Sequence, residues 1–238
     1  MEYDHGHRVT QHIHEMTPLE RAITEFEERA KSAHSLKVVP KAETAEQRLN
    51  REQSLSKALT HLKAERALAL AQVQVQTQLD EYREALKPAE GASRQEKNIG
   101  REAMSLEKHH PTDTLAKFMR ADGRPKPAPN FTPHHIVQGK GRTLFATRAR
   151  IQLHYYGVRI NDPDNGVWMP RHKKDKGHWA MPNAMAHSEI HTHNYERWAF
   201  ERIETSSGEK DLRAKLINVR SKLRDGNQPD YVSQPPLK

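Results

Sequence analysis

From Ala42 to Leu86 the chain contains neither glycine nor proline, the longest such run it has. A stretch of that length with Ala, Leu, Gln, Glu and Arg throughout has strong local preference for helix and nothing to interrupt it. Leu55, Leu59, Leu62, Ala69 and Val73 recur on three- and four-residue steps, interrupted by Arg66. Val75, Leu79, Tyr82 and Leu86 continue the spacing in a shifted register. The pattern predicts one long helix with an imperfect coiled-coil-like seam, whose partner is another helix of this chain or of a second one. Pro88 and Gly91 close it. Thr17-Pro18-Leu19-Glu20 sets a cap, a proline at the first helical position and a glutamate two residues later, so a first helix should run to about Ala33 before Val38-Val39-Pro40 ends it. A less regular helical stretch should reach about His109.

Composition sharpens this outline. Only 34% of residues are hydrophobic against 29% charged, too little apolar material for one large core. Extended helices plus one small compact unit fit better. Cysteine is absent, which excludes disulfides, thiolate metal sites and thiol catalysis, so a metal would have to be held by His, Asp, Glu or Asn. Met1 to Met16 is polar and carries no apolar signal-peptide core, and no stretch has the length of a membrane span. Formal net charge is +8, unevenly spread: residues 117–238 hold 22 Lys and Arg against 12 Asp and Glu, so all of the excess lies in that half. Such a surface suits a polyanion such as nucleic acid, or is simply a soluble basic face. His5, His7, His12 and His14 near the start are read as terminal rather than ligating.

After a short amphipathic helix at Thr114 to Ala121, the Gly/Pro-rich connector 123–129 leads into Phe131-Thr132-Pro133-His134-His135-Ile136-Val137, a short strand. Neighbouring strand residues face opposite sides, so one histidine can meet a metal and the other a water. Residues 157–170 read as strand, Asp-Pro-Asp-Asn-Gly turn and second strand. The Gly/Pro-free run 183–203 reads as one helix with His187 and His191 at i and i+4 on one face. Three imidazoles with an open fourth position make a catalytic rather than a closed metal site, and a fourth imidazole beside them is a suitable base. Trp168, Trp179, Trp198, Tyr155 and Tyr156 are read as core aromatics. Gly139 to Thr143 is read as a basic connector, and the pair His109-His110 has no evident partner motif.

Taken in order, Leu115-x-x-Phe118-Met119, His134-His135-Ile136-Val137, Arg150-x-x-Leu153, Ile160-Asn161-Asp162, Asn165-Gly166-Val167-Trp168-Met169-Pro170 and His187-Ser188-x-x-His191-x-x-x-Tyr195 resemble the Ala-His-His nuclease family of the HNH and endonuclease VII superfamily. Pro133 stands in place of the signature alanine, Glu189 in place of a frequent glycine, and His193 is an additional imidazole. With the helical pattern read above, the chain is expected to be mainly α with a small α+β domain: a helical, coiled-coil-like accessory or delivery region at 1–112, then, as the resemblance implies, a ββα-metal nuclease core with a C-terminal helix at 113–238. The resemblance also implies that His134, His187 and His191 ligate one divalent ion (Zn, Ni, Mg or Mn), that His135 is the general base, and that Asn165 orients His135 or braces its loop. Arg142, Arg148 and Arg150 are candidates to neutralise phosphate, and Arg171, Lys173, Lys174 and Lys176 to follow a nucleic-acid backbone.

The implied activity is endonucleolytic hydrolysis of DNA, with RNA the open alternative. The implied setting is a bacterial effector, made in the cytoplasm, exported by a specialised secretion system without a cleaved signal peptide, acting in the target cell's cytoplasm and restrained by an immunity protein. In that setting the N-terminal helices would pair with a delivery component or self-associate. An HNH nuclease with a phage or restriction role, and a non-catalytic metal-stabilised adaptor that binds nucleic acid, are the competing readings.

Overall fold

Local signals place the helices. In the computed structural model, Thr17 and Glu20 form a reciprocal capping box, with Glu20 N donating to Thr17 Oγ1 at 3.2 Å and Thr17 N to Glu20 Oε2 at 2.7 Å, and helix α1 (Pro18–Ser35) follows from it. The uninterrupted run is helix α2 (Ala45–Glu84). Ser93 and Glu96 repeat the capping box ahead of α3 (Arg94–Ser105). The structure describes residues 3–4, 7–8 and 16–234. His5, His12 and His14 lie outside these, and of His7 only the backbone is described. Two-residue strands β1 (Tyr3–Asp4) and β2 (His7–Arg8) pair antiparallel.

The chain divides into two compact units, 1–77 and 78–238, and the division falls inside α2. In the first unit, Arg29 of α1 pairs with Glu65 of α2, and Arg51 ties Glu43 (Nε to Oε1, 2.7 Å) to the Leu36 carbonyl (3.1 Å). The apolar seam of α2 is mostly half-buried or exposed: Leu59 and Val73 are each 38% exposed.

The second unit contains α4 (Asp113–Ala121), strand β3 (Phe131–His135), α5 (Leu144–Tyr155), strand β4 (Gly166–Pro170), a single turn α6 (His187–Ile190), α7 (His193–Ile203) and α8 (Glu209–Asp225). β3 and β4 pair antiparallel, with His134 opposite Val167 and His135 opposite Gly166. Both faces of this ribbon are covered. Phe131 and Trp168 pack with Leu115 and Met119 of α4, while Val167 and Met169 join Trp198 of α7 and Leu216 of α8. Strand alternation then sends His135 to the side of α4 and His134 to the side of α7. Gly166 suits this close packing, since a Cβ there would lie 2.7 Å from Met119 Sδ and the Met119 and Leu115 side chains would have to shift.

Several expectations change. Residues 157–161 form no strand. Pro163–Asn165 is instead a 3-10 turn capped by Asp162, whose side chain accepts from Asp164 N at 2.9 Å, and β4 pairs with β3 alone. The run 183–203 is not one helix. Thr192 leaves helical geometry (φ −115°, ψ 160°) and caps α7 by accepting from Tyr195 N at 3.0 Å, so His187 and His191 fall at a break. Trp179 is 85% exposed and Tyr155 54% exposed, so neither is core; Trp168 and Trp198 are buried.

Asp162, 1% exposed, is held by Arg83 (Nε to Oδ2, 3.1 Å) and Arg213 (NH1 to Oδ2, 3.1 Å). Burial pushes its carboxyl pKa up, but these two guanidinium groups outweigh that and hold it below the usual range. The pairs fix the end of α2 and helix α8 to the turn that precedes β4.

Candidate metal and nuclease site

His134, 1% exposed, sits on β3 facing α7. Its Nε2 lies 3.0 Å from the Tyr195 hydroxyl, and that hydroxyl donates to the Ile136 carbonyl at 2.8 Å. With its only proton used, the phenol can accept from His134 only if Nε2 carries the hydrogen, which leaves Nδ1 with the lone pair. His187 opens α6 and His191 follows it. Their Nε2 atoms are 3.0 Å apart, and the rings of both stand 5.1–5.3 Å from that of His134. One ligand atom from each of the three histidines lies within 4.8 Å of the others, the arrangement of a group that can hold a metal ion.

Tetrahedral nitrogens at about 2.0–2.1 Å from a zinc-like ion are about 3.3 Å apart. The His187–His191 pair at 3.0 Å is near that spacing, and a His134 nitrogen lies within 4.8 Å of both, so the three residues fit a cation that draws them together. The histidines are also electrostatically prepared. Burial, then the neighbouring imidazoles, pushes His134 well below its ordinary pKa and His187 to about 4. Burial, then the Arg142 charge, lowers His191. Neutral rings with free lone pairs and mutual repulsion when protonated are what a cation needs.

His135 lies on the opposite face of β3, 5% exposed, yet borders the same pocket. Its Nε2 is 3.1 Å from Asn161 Oδ1. Burial drives its pKa down to about 4 against the opposing effect of the hydrogen bond to Asn161 Oδ1, so it is unprotonated at neutral pH. Asn165, fully buried, does not touch His135. Its Oδ1 accepts from Val137 N at 2.7 Å and its Nδ2 donates to the Val137 and Ile160 carbonyls at 3.1 and 2.9 Å. It thereby clamps the segment leaving β3. Glu196, 4% exposed, holds the next loop by accepting from Arg142 N and Thr143 N, each at 2.8 Å.

The pocket, of about 290 Å³, is lined by His134, His135, His187 and His191 together with His110, Thr112, Gln138 and Lys140. None of Arg142, Arg148, Arg150, Arg171, Lys173 and Lys174 lines it. Arg142, Arg148, Arg171, Lys173 and Lys174 are exposed, and Lys173 lies 3.7 Å and Lys176 3.4 Å from Glu189. Arg150 turns inward, where NH1 donates to the Gly139 carbonyl. The cation at the pocket is Lys140, from the supposed connector. The supposedly unpartnered pair also belongs here: the His109 and His110 rings lie 6.1 and 6.3 Å from that of His135. His193 is not part of the three-histidine group and instead borders a separate cleft with Arg142, Lys173 and Glu189.

No curated protein and no solved structure matches the chain significantly. Residues 115–223 do match one family model, described as AHH, a nuclease family of the HNH/ENDO VII superfamily with conserved AHH. The match begins in α4, ends in α8 and contains the histidine pocket's β3, β4, α6 and α7. Segment 115–223 of this chain is therefore similar to the AHH nuclease family of the HNH/ENDO VII superfamily.

Proposed function

We propose that this chain is a divalent-metal-dependent endonuclease that hydrolyses phosphodiester bonds of DNA. The observation that carries the reading is the convergence of three neutral imidazoles, from β3, from α6 and from the residue just after α6, beside a fourth, His135, that opens into the same pocket. His134, His187 and His191 hold the metal. A divalent ion bound there supplies Lewis-acid polarisation of the phosphoryl group and stabilisation of the leaving oxygen. His135 takes the proton from the attacking water through the nitrogen that does not face Asn161. The charge of a bound phosphodiester raises the basicity of His135 from its low resting value toward the working range. Lys140 offsets phosphate charge at the pocket, and the exposed Arg142, Arg148, Arg171, Lys173 and Lys174 track the flanking backbone, with Arg150 bracing Gly139 behind them. Asn165 keeps the strand end in register.

The wider role we propose is that of the toxic domain of an exported bacterial effector. A basic nuclease of this kind would be neutralised in its producer by an acidic immunity protein. The helices ahead of it would engage a delivery component or a second copy. No helix among the described residues is long and apolar enough to cross a membrane. The test is cleavage of supercoiled plasmid and of structured RNA, with and without chelator, beside His135→Ala. The proposal predicts chelator-sensitive plasmid nicking that His135→Ala abolishes while still binding metal. Equal activity of the variant would favour a metal-stabilised binding module, and cleavage of RNA alone would move the substrate.

A further inference from the structure

We propose that Glu107 fixes the tautomer of His135 through Asn161, which makes residues ahead of the family-matched segment positioning residues for the reaction. The inference rests on His135 being the base. Its starting point is that a carboxylate can only accept hydrogen bonds, whereas an amide can be turned either way.

Glu107 Oε1 accepts from Asn161 Nδ2 at 2.9 Å, and the Lys108 carbonyl accepts from the same nitrogen at 2.9 Å. Both amide hydrogens of Asn161 are thereby committed. Its oxygen must face His135, where Oδ1 and Nε2 are 3.1 Å apart. An oxygen without a hydrogen can be met there only by Nε2–H. The neutral ring therefore keeps its lone pair on Nδ1, free to take a proton from water. A reversed amide would set its oxygen, an acceptor, against the Glu107 carboxylate and the Lys108 carbonyl, two further acceptors, and lose both bonds.

The carboxylate is itself held. Tyr82 O–H donates to Glu107 Oε1 at 2.5 Å, Arg159 Nε donates to Oε2 at 2.9 Å, and the Arg159 guanidinium lies 3.8 Å over the Tyr82 ring. Asn161 N donates to the Tyr82 hydroxyl at 3.0 Å, which closes the network on the asparagine it orients. Asn161 is 1% exposed, so water cannot replace its partners. Tyr82 stands near the end of α2 and Glu107 just beyond α3, both before residue 115, where the family match starts. The last turns of the helical region are thus part of the catalytic unit.

The first test uses the unaltered full-length chain. Nitrogen-15 spectra of its imidazoles at neutral pH should show His135 as the Nε2–H form with a slowly exchanging proton; an Nδ1–H form overturns the proposal whatever the activity. The second compares variants. Asn161→Leu and Glu107→Met should lower kcat by about 10- to 100-fold, part of the roughly 10²- to 10⁴-fold that a positioned base supplies. KM and zinc affinity should stay within about twofold, since neither residue lines the pocket or belongs to the three-histidine group. Glu107→Gln retains an acceptor oxygen and should recover most of the rate. Unchanged kcat in Asn161→Leu, or equal losses for Glu107→Gln and Glu107→Met, contradicts the relay. Absence of metal-dependent cleavage by the unaltered chain removes the nuclease reading instead, and the spectra still decide the tautomer.

Discussion

Along the 40 residues of α2 the only buried side chain is Leu79, whereas around the histidine pocket His134, His135, Asn161 and Asn165 are all at most 5% exposed. Most apolar residues of the long helix stay at least partly exposed, and the polar residues of the pocket are taken out of water. Burying polar groups costs free energy unless each finds a partner, so the second region tolerates substitution only where no hydrogen bond is broken. The first draws on helix propensity and capping, which many sequences can supply. Chemistry is concentrated where the sequence has least freedom.

The largest effect that can break this contrast is His135→Ala. Turnover should fall by about 10²- to 10⁴-fold with one metal ion still bound, measured by plasmid nicking and metal titration. His187→Ala or His191→Ala should weaken metal binding by more than the roughly 10- to 100-fold lost with an outer partner alone, read by calorimetry. Asn165→Ala leaves Val137 N–H and two carbonyls unsatisfied in a dry interior. It should cost about 3 kcal/mol in denaturant unfolding, taking 1–3 kcal/mol for each orphaned group with partial relaxation.

Acid sharpens the same point in chelated protein. His135 and His187 titrate near 4 in the folded chain, against about 6.5 when unfolded. The unfolded state binds more protons between these values, so this contribution to stability is complete above about pH 6.5 and is lost as pH falls toward 4. Tm should drop by more than about 5 °C between pH 7.5 and 4.5, less so once the histidines are replaced. At the small end, Leu68→Gln in α2, where Leu68 is 71% exposed, should change stability by no more than about 0.5 kcal/mol.

Much of this was legible beforehand. The Thr17 capping box, the extent of α2 and the strand carrying His134 and His135 follow from short-range rules that depend on residues a few positions apart. Three histidines drawn to one point were readable from their order and chemistry. What escaped is the set of contacts between distant stretches. Asn161 and Asn165 are four residues apart with the same side chain, and nothing local says which reaches His135. Glu107, His110 and Lys140 approach the pocket only through tertiary packing: a Cβ on Gly139 would lie 2.2 Å from the His109 ring, so that glycine admits the 109–110 segment. The break between α6 and α7 did leave a trace, since Thr192 is a good N-cap just ahead of an amphipathic run. Freedom from Gly and Pro is permission for a helix, not proof of a continuous one.

The central claim is that the imidazoles of His134 on β3, His187 at the start of α6 and His191 just after it share one cation. X-ray absorption on the zinc-loaded chain, with metal content measured in parallel, addresses it without reference to activity. The account predicts one zinc per chain, with three imidazole nitrogens at about 2.0–2.1 Å and an oxygen completing the shell, and loss of that signature in His134→Ala. A full-occupancy zinc whose coordination is unaltered when His134, His187 or His191 is replaced would contradict it.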